Sequence, residues 1–245
     1  MKIANGVEMF EISSNVMGRT SVISPTLIWD NDAVILVDAG FPGQLEVIRE
    51  EIEKIGVKFD NVNMVIVTHH DIDHIGSLLS IVKEFPNTVQ VLAHEEEKAY
   101  IEGEKQPLKL AKLEANLNIL PEEMKVIYEK LKAGFENSKV KVNKTLRDDE
   151  ELPYCGGIKV IYTPGHTLGH ICLYLKQSKT LIAGDLLSIK EGVLVKASSS
   201  INFDDELTIK SLKKLKGYDI ETVICYHGGM YNIKVNECIA ELANK

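Results

Sequence analysis

The chain has 245 residues, of which 44% are hydrophobic and 26% are charged, so it can bury a full core and is not a disordered chain. The length suits one domain or two small ones. The formal net charge of −8 argues against nucleic acid or an anionic membrane surface as a partner, although bound metals can still attract an anionic substrate.

The N-terminus and the cysteines predict a reduced, cytoplasmic protein. The opening residues MKIANGVEMF lack the apolar segment of a signal peptide, and no apolar run approaches the ~20 residues that cross a bilayer. The four cysteines form no C-x-x-C pair and stand in apolar surroundings, which is typical of free thiols. We therefore expect neither a membrane nor nucleic acid as a partner.

The first part of the chain shows strand patterns that then alternate with helix patterns. Runs rich in β-branched residues, separated by Gly, Asn and Asp, predict strands, and leucines and isoleucines at helical spacing predict helices. The predicted strands are residues 7–13, 20–29, 33–40, 63–69 and 88–94. The predicted helices are residues 44–55 and 75–85.

Residues 95–146 differ in character from the chain on either side. They are rich in Lys and Glu, their apolar residues recur at helical spacing, and Pro107 and Pro121 suit the first turns of helices. We interpret this segment as an insertion of two or three helices within a single domain that spans residues 1–245. It is expected to be either a set of surface helices on a sheet, or a lid over the cleft or a homodimer contact.

Strands return after the insertion, and helices again lie between them. The predicted strands are residues 158–165, 170–176, 180–185 and 222–229. The predicted helices are residues 204–215 and a final helix from Val235. Alternating strands and helices in both halves predict an α/β fold in which helices cover sheets.

Four polar clusters, THHDIDH, TPGHTLGH, AGD and CYHGG, each directly follow a predicted strand. In α/β folds ligands collect beyond the carboxyl ends of strands, so these clusters are expected to converge. Buried His and Asp are costly unless they are paired or bind metal, and they are ligands that Zn, Mn and Fe accept. The candidate ligands are His69, Asp71, Asp73, His74, His166, Asp185 and His227. That set suits two metal ions that share one bridging carboxylate.

The order of these motifs resembles that of the metallo-β-lactamase superfamily. THHDIDH is similar to the family signature H-x-H-x-D-H, and TPGHT, GD and the late HGG are similar to its later metal-ligand motifs. The resemblance runs from LVDAG to YHGG and covers nearly the whole chain. It implies an αββα sandwich, with two mixed β-sheets between helical layers and a dinuclear site along one edge.

The resemblance also implies roles for individual residues. One metal would be held by His69, Asp71 and His166, and the other by Asp73, His74 and His227, with Asp185 as the bridge. Asp73 would also be catalytic, because it would orient the hydroxide nucleophile and relay its proton. Asp38, in LVDAG, resembles the family aspartate that orients a ligand histidine. His170 is expected to support the site or the structure rather than bind metal.

Position 71 departs from the family pattern, which commonly has a second His there. His70 is the other candidate for that ligand, but neighbouring side chains on an extended segment point in opposite directions, which favours Asp71. A carboxylate in this place shifts metal preference toward Mn or Fe relative to Zn, and should acidify the bridging water less. Diiron flavoproteins of the superfamily carry a carboxylate here, which keeps an iron-dependent oxidoreductase or dioxygenase as an alternative.

The expected function is hydrolysis by a metal-bound hydroxide, with two divalent metal ions as cofactors, Zn first and Mn or Fe as alternatives. The layout and the short HGG ending resemble the glyoxalase II and lactonase branches, which favours a carboxylic ester, lactone or thioester of a small molecule. Little chain follows His227, which argues against a glutathione thioester. A phosphodiesterase and a catalytically inactive scaffold remain as alternatives.

Overall fold

The computed structural model describes residues 1–16 and 18–244 and contains short strands interspersed with helices. The elements in chain order are β1 (Lys2–Ala4), β2 (Val7–Met9), β3 (Ile12–Val16), β4 (Arg19–Ile23), β5 (Thr26–Trp29), β6 (Val34–Val37), α1 (Leu45–Lys54), β7 (Met64–Val67), α2 (Ile72–Ile75), α3 (Leu78–Glu84), β8 (Gln90–His94), α4 (Glu95–Ile101), α5 (Leu108–Glu114), α6 (Glu122–Glu136), β9 (Lys144–Leu146), β10 (Glu151–Leu152), β11 (Ile158–Tyr162), β12 (Ile171–Leu175), β13 (Thr180–Ile182), β14 (Leu187–Lys190), β15 (Val193–Lys196), α7 (Asp205–Leu215), β16 (Thr222–Cys225), β17 (Gly229–Tyr231) and α8 (Val235–Leu242). A 3₁₀ helix, Phe59–Asn61, precedes β7.

Two mixed sheets lie at the centre of the described part of the chain. The first has the strand order β1-β2-β5-β6-β7-β8-β9, in which the strands from β6 to β9 run parallel. The second has the order β10-β11-β12-β13-β16-β17, in which only the β13–β16 pair is parallel. Strands β6 and β7 are apolar throughout and fully buried, as expected for parallel strands covered on both faces.

The two faces of each sheet pack against different layers. In β6, Ile35 and Val37 face the second sheet and share a buried cluster with residues such as Val160 and Leu173. The intervening Leu36 belongs instead to a cluster with Ile48 of α1 and residues of α3. A third cluster joins the outer face of the second sheet to α7 and α8. The layers are therefore helix, sheet, sheet and helix, which confirms the predicted αββα sandwich.

Most of the predicted elements agree with the structure, and two long predicted strands divide. Residues 7–13 and 20–29 form one bent hairpin whose inner half, β2 and β5, belongs to the first sheet. Its outer half, β3 and β4, forms a separate two-stranded sheet. The bend lies where the backbone N–H of Phe10 donates to the carbonyl oxygen of Pro25, because a proline within the strand interrupts the ladder.

The hairpin of β14 and β15 was not predicted. Its strands pair antiparallel around Glu191 and Gly192, both of which have positive φ angles. Such angles at both central residues define a tight hairpin turn, and glycine at the second position is a signal for it. The sequences LSIK and VLVK on either side of the turn are typical of strands and also indicate this hairpin.

Residues 95–146 contain three helices and a strand. Helix α4 begins directly after β8, and α5 and α6 pack against each other. The segment then returns to the first sheet, where β9 pairs parallel with β8. No helix in residues 1–16 and 18–244 has the length and apolar character needed to cross a membrane.

Candidate metal centre

The polar clusters of the sequence meet at one edge of the two sheets. The segment after β7 carries His69, Asp71, Asp73 and His74, while the loop after β11 carries His166. Asp185 follows β13 and His227 follows β16. Ligand-type side chains from both sheets therefore face one another, as strand ends in α/β folds predict.

The first group consists of His69, Asp71, His166 and Asp185, whose ligand atoms all lie within 4.8 Å of one another. The Oδ2 atom of Asp71 is 3.3 Å from Nε2 of His69 and 3.0 Å from Nε2 of His166. The Oδ2 atom of Asp185 is 3.4 Å from Nε2 of His166. These four residues converge on a single small volume.

The second group consists of Asp73, His74 and His227, whose ligand atoms also lie within 4.8 Å of one another. Oδ2 of Asp73 is 3.2 Å from Nε2 of His227. Asp185 lies between the two groups, because its Oδ1 is 3.4 Å from Nε2 of His74 and its Oδ2 is 3.5 Å from Nε2 of His227. A carboxylate in this position can contact an ion in either group.

The donor set fits divalent metal ions. Among the described residues, Nε2 of His69, Nε2 of His74 and Oδ1 of Asp185 are buried without a hydrogen-bond partner. Leaving buried polar atoms unpaired costs about 1–3 kcal/mol each, so three of them in one place indicate an absent partner. Imidazole nitrogens and carboxylate oxygens are ligands of Zn, Mn and Fe.

The electrostatics of the groups also suit cations. Burial, with the neighbouring His74 imidazole, holds the pKa of His69 well below its usual range, so this ring is neutral. Burial alone would raise the pKa of Asp185, but His74 and His227 hold it well below the usual range. Burial would lower the pKa of His227, but Asp185 and Asp73 raise it to about 10. The carboxylate of Asp185 is therefore ionised and attracts positive charge.

Asp38 supports His74 from behind. It follows β6 with a φ of 63°, a left-handed conformation that aspartate tolerates. Its Oδ2 is 2.9 Å from Nδ1 of His74, and it also accepts hydrogen bonds from the backbone N–H and the hydroxyl of Thr68. The bond to Nδ1 leaves Nε2 of His74 directed toward the candidate ligands.

His170 supports Asp185 rather than joining either group. Its Nε2 accepts a hydrogen bond of 3.0 Å from the backbone N–H of Asp185, and its Nδ1 is 2.9 Å from the hydroxyl of Thr163. Burial, together with the charge of His166, lowers the pKa of His170 to about 3, so the ring is neutral. This contact fixes the backbone from which the central carboxylate projects.

His70 points away from the two groups. Its Nδ1 and its backbone N–H both bond to Oε2 of Glu97, and its ring stacks on that of Tyr100 at 4.4 Å. Asp71 lies in the first group instead. The structure thus arranges these neighbours in opposite directions, as the extended backbone predicts.

Two charged residues near the site were missed in the sequence. Glu97, fully buried at the start of α4, is one of three successive glutamates, and nothing in their pattern distinguishes it. Lys109 of α5 bonds to Oδ2 of Asp71, and its Nζ is 3.0 Å from Nε2 of His166. No local motif surrounds Lys109, and only the folding of α5 over the strand ends brings it there.

The class of protein follows from the αββα fold together with the His and Asp side chains that converge at the strand ends. Both are typical of a metallo-β-lactamase-type protein. Residues 18–227 match the family described as the metallo-beta-lactamase superfamily, and the chain belongs to that superfamily.

Two relatives are matched over most of this chain. It is 28% identical to probable metallo-hydrolase YflN of Bacillus subtilis (strain 168), over 96% of this chain and 92% of the relative. It is also 28% identical to a hydroxyacylglutathione hydrolase of Buchnera aphidicola subsp. Schizaphis graminum, over 86% of this chain but only 64% of that relative's length.

A solved structure shares the fold over almost the whole chain. It is that of the metallo-beta-lactamase family protein TTHA1429 from Thermus thermophilus, which matches with a TM-score of 0.77. The match covers 99% of this chain and 80% of that one at 22% identity, so it shows the common fold alone.

Proposed function

We propose that the protein is a metal-dependent hydrolase that cleaves a carboxylic ester, lactone or thioester of a small molecule. The observation that carries the proposal is the convergence of seven ligand-type side chains at one sheet edge, with three of their polar atoms buried and unpaired. Membership of a superfamily whose relatives include named metallo-hydrolases supports it.

We assign two divalent metal ions to the two groups. His69, Asp71 and His166 would hold one ion, and Asp73, His74 and His227 the other, with Asp185 shared between them. When bound, such ions polarise a substrate carbonyl and lower the pKa of water, which is the chemistry that hydrolysis needs. We expect Zn, with Mn or Fe as alternatives favoured by the carboxylate of Asp71.

Asp73 is the proposed catalytic residue. Its carboxylate is partly exposed and lies 3.2 Å from the ring of His227, so a water molecule can reach it. The hydroxyl of Tyr226 donates a 2.5 Å hydrogen bond to the backbone carbonyl of Asp73, which holds the backbone from which the carboxylate projects. A carboxylate held beside a bound water molecule can orient that water and accept its proton.

The class of bond rests on similarity to relatives. One matched relative is named hydroxyacylglutathione hydrolase, which favours an acyl bond over a phosphodiester. This chain spans only 64% of that relative, so the proposal includes the acyl bond and does not include the relative's own substrate.

The test is metal content followed by substrate panels. Protein purified without added metal or chelator is analysed for metal identity and stoichiometry, then assayed on ester, lactone, thioester and phosphodiester panels. Two Zn or Mn per chain with ester-type hydrolysis is the expected result. One or two irons, with oxygen-dependent turnover and no hydrolysis, would instead favour an iron oxidoreductase. No metal after soaking would contradict both.

A further inference from the structure

A cavity of about 960 Å³ opens directly beside the candidate metal centre. Asp71 and His166 line it, and both also belong to the first group of candidate ligands. Most of the remaining wall comes from α5, the loop between α5 and α6, the start of α6 and residues 200–203. A molecule in this cavity would therefore reach the ligand side chains without crossing any other part of the protein.

Most of the cavity wall away from these ligands is apolar. The apolar side chains that line it include Leu108, Leu113, Ile119, Leu120, Met124 and Phe203. Ile119 is 80% exposed and Phe203 is 52% exposed, so these large side chains face a space that protein atoms do not fill. Apolar groups gathered around a concavity, with a few polar groups at one end, are typical of a small-molecule site.

Several polar groups line the cavity, and some of them contact the candidate ligands. Lys109 stands next to Asp71 and His166, and Lys112 follows it one turn along α5. The apolar residues of α5 and α6 continue the wall beyond these lysines. The arrangement suits a ligand with a polar head at the strand ends and an apolar tail between α5 and Phe203.

We propose that this cavity binds the apolar acyl chain of an ester, lactone or thioester whose carbonyl lies at the candidate metal centre. The proposal rests on the proposed function and names its substrate class. We assign the acyl side because the cavity begins at Asp71 and His166, so a chain joined directly to the carbonyl carbon can fill the cavity while the carbonyl stays at the candidate ligands. The volume lies within the range of about 300–1,000 Å³ that small-molecule pockets have, which suits a chain of several carbons.

The first experiment measures chain-length dependence on the metal-loaded protein. The substrates are p-nitrophenyl esters with acyl chains of two, four, six, eight and ten carbons. We expect kcat/KM to rise about three- to fourfold for each added methylene, until the chain fills the cavity, since each buried methylene adds a similar increment of binding. Calorimetric titration of octanoate and butyrate into metal-free protein gives an independent readout, in which octanoate should bind more tightly.

Variants on two walls of the cavity connect the effect to this site. Leu113→Asp and Phe203→Asp each place a charge in the apolar wall and should reduce the ratio of eight-carbon to two-carbon kcat/KM at least tenfold. Phe203 is outside the helices and half exposed, so its variant does not depend on repacking a core. Val126→Asp is the control, because Val126 is 55% exposed on α6 and lies outside the cavity lining. It should keep the parental profile.

The outcomes separate the pocket from the reaction. A flat chain-length profile in a protein that hydrolyses the acetate would overturn the acyl pocket and leave the proposed function standing. If no ester is hydrolysed but octanoate binds more tightly than butyrate, and Leu113→Asp removes the difference, the pocket is supported and the proposed function fails. Equal binding of both acids together with no hydrolysis would overturn both.

Discussion

Asp71 adds a third carboxylate to the candidate ligands, and the ammonium group of Lys109 forms an ion pair with it. Burial would raise the pKa of Asp71, but the hydrogen bond with His166, the nearby ring of His69 and the charge of Lys109 hold it well below the usual range. Lys109 lies against two ligand atoms of the first group. Its ammonium therefore opposes a divalent ion there, because like charges at contact distance repel strongly in a partly buried site.

Replacing Lys109 by methionine should strengthen metal binding. We expect Lys109→Met to raise the affinity for the ion of the first group about tenfold, since a repelling charge is removed while the apolar stem is kept. Competition with a chromogenic chelator measures the affinity, and elemental analysis measures the stoichiometry. Lys112→Met is the matched control one turn away. Equal effects of the two variants would contradict a specific role for Lys109.

Restoring the histidine of the common family pattern should change the pH dependence. Asp71→His replaces an ionised ligand by a neutral one, so bound ions should acidify water more strongly and the acidic limb of the kcat/KM profile should move to lower pH. Asp71→Glu keeps the charge and serves as the comparison. If the acidic limb of the Asp71→His profile stays in place, the Asp71 carboxylate does not weaken the acidification of bound water.

At the scale of elements, Glu97 at the start of α4 connects two loops that carry candidate ligands. Its Oε2 accepts hydrogen bonds from His70, next to His69, while its Oε1 accepts from the hydroxyl of Thr167 and the backbone N–H of Gly169, each at 2.7 Å. A Cβ on Gly169 would lie 2.7 Å from Cγ of Glu97, so only glycine permits this approach. The ligand loops are therefore held by a buried charge.

Removing that charge should destabilise the fold in a pH-dependent way. Burial alone would raise the pKa of Glu97, but His70 and Thr167 lower it from 4.5 to about 2. Its ionised form therefore stabilises the fold above about pH 4.5, and this contribution declines as the pH falls toward 2. Glu97→Gln should reduce the free energy of unfolding by about 3 kcal/mol at pH 7 and by much less near pH 3.

Urea unfolding of chelator-treated protein at both pH values measures this difference. Glu96→Gln is the control, because Glu96 is the exposed neighbour in the same helical turn. A loss of unfolding free energy in Glu97→Gln that does not shrink in acid would contradict the proposed role of the Glu97 charge. A loss no larger than that of Glu96→Gln would contradict it too.

At the scale of the molecule, the candidate centre joins the two halves of the sandwich. His69, Asp71 and His74 follow the first sheet, whereas His166, Asp185 and His227 follow the second. An ion held by both sets binds the folded chain and not the unfolded one, so it should stabilise the whole fold.

Metal removal should therefore lower the melting temperature. At a free metal concentration of about 100 times Kd, binding raises the free energy of unfolding by about 2.7 kcal/mol. For a chain of this size that increase raises the melting temperature by roughly 5–10 °C. Scanning calorimetry with chelator, Zn and Mn tests this, and Mg is the ion control because it prefers oxygen ligands. His227→Ala should reduce the shift. A melting temperature that does not respond to Zn or Mn would contradict a site that spans the sheets.

The sequence by itself determined the layered fold and the edge at which the candidate ligands meet. Apolar strands followed at once by His and Asp carry this information locally, because a strand end fixes where the next side chains lie. Only the tertiary structure decided which of the many charged residues of residues 95–146 approach that edge. Glu97 and Lys109 act through contacts with residues distant in the chain, and the apolar cavity exists only between α5, α6 and the segment at Phe203. Their roles depend on packing between elements, which no local pattern records.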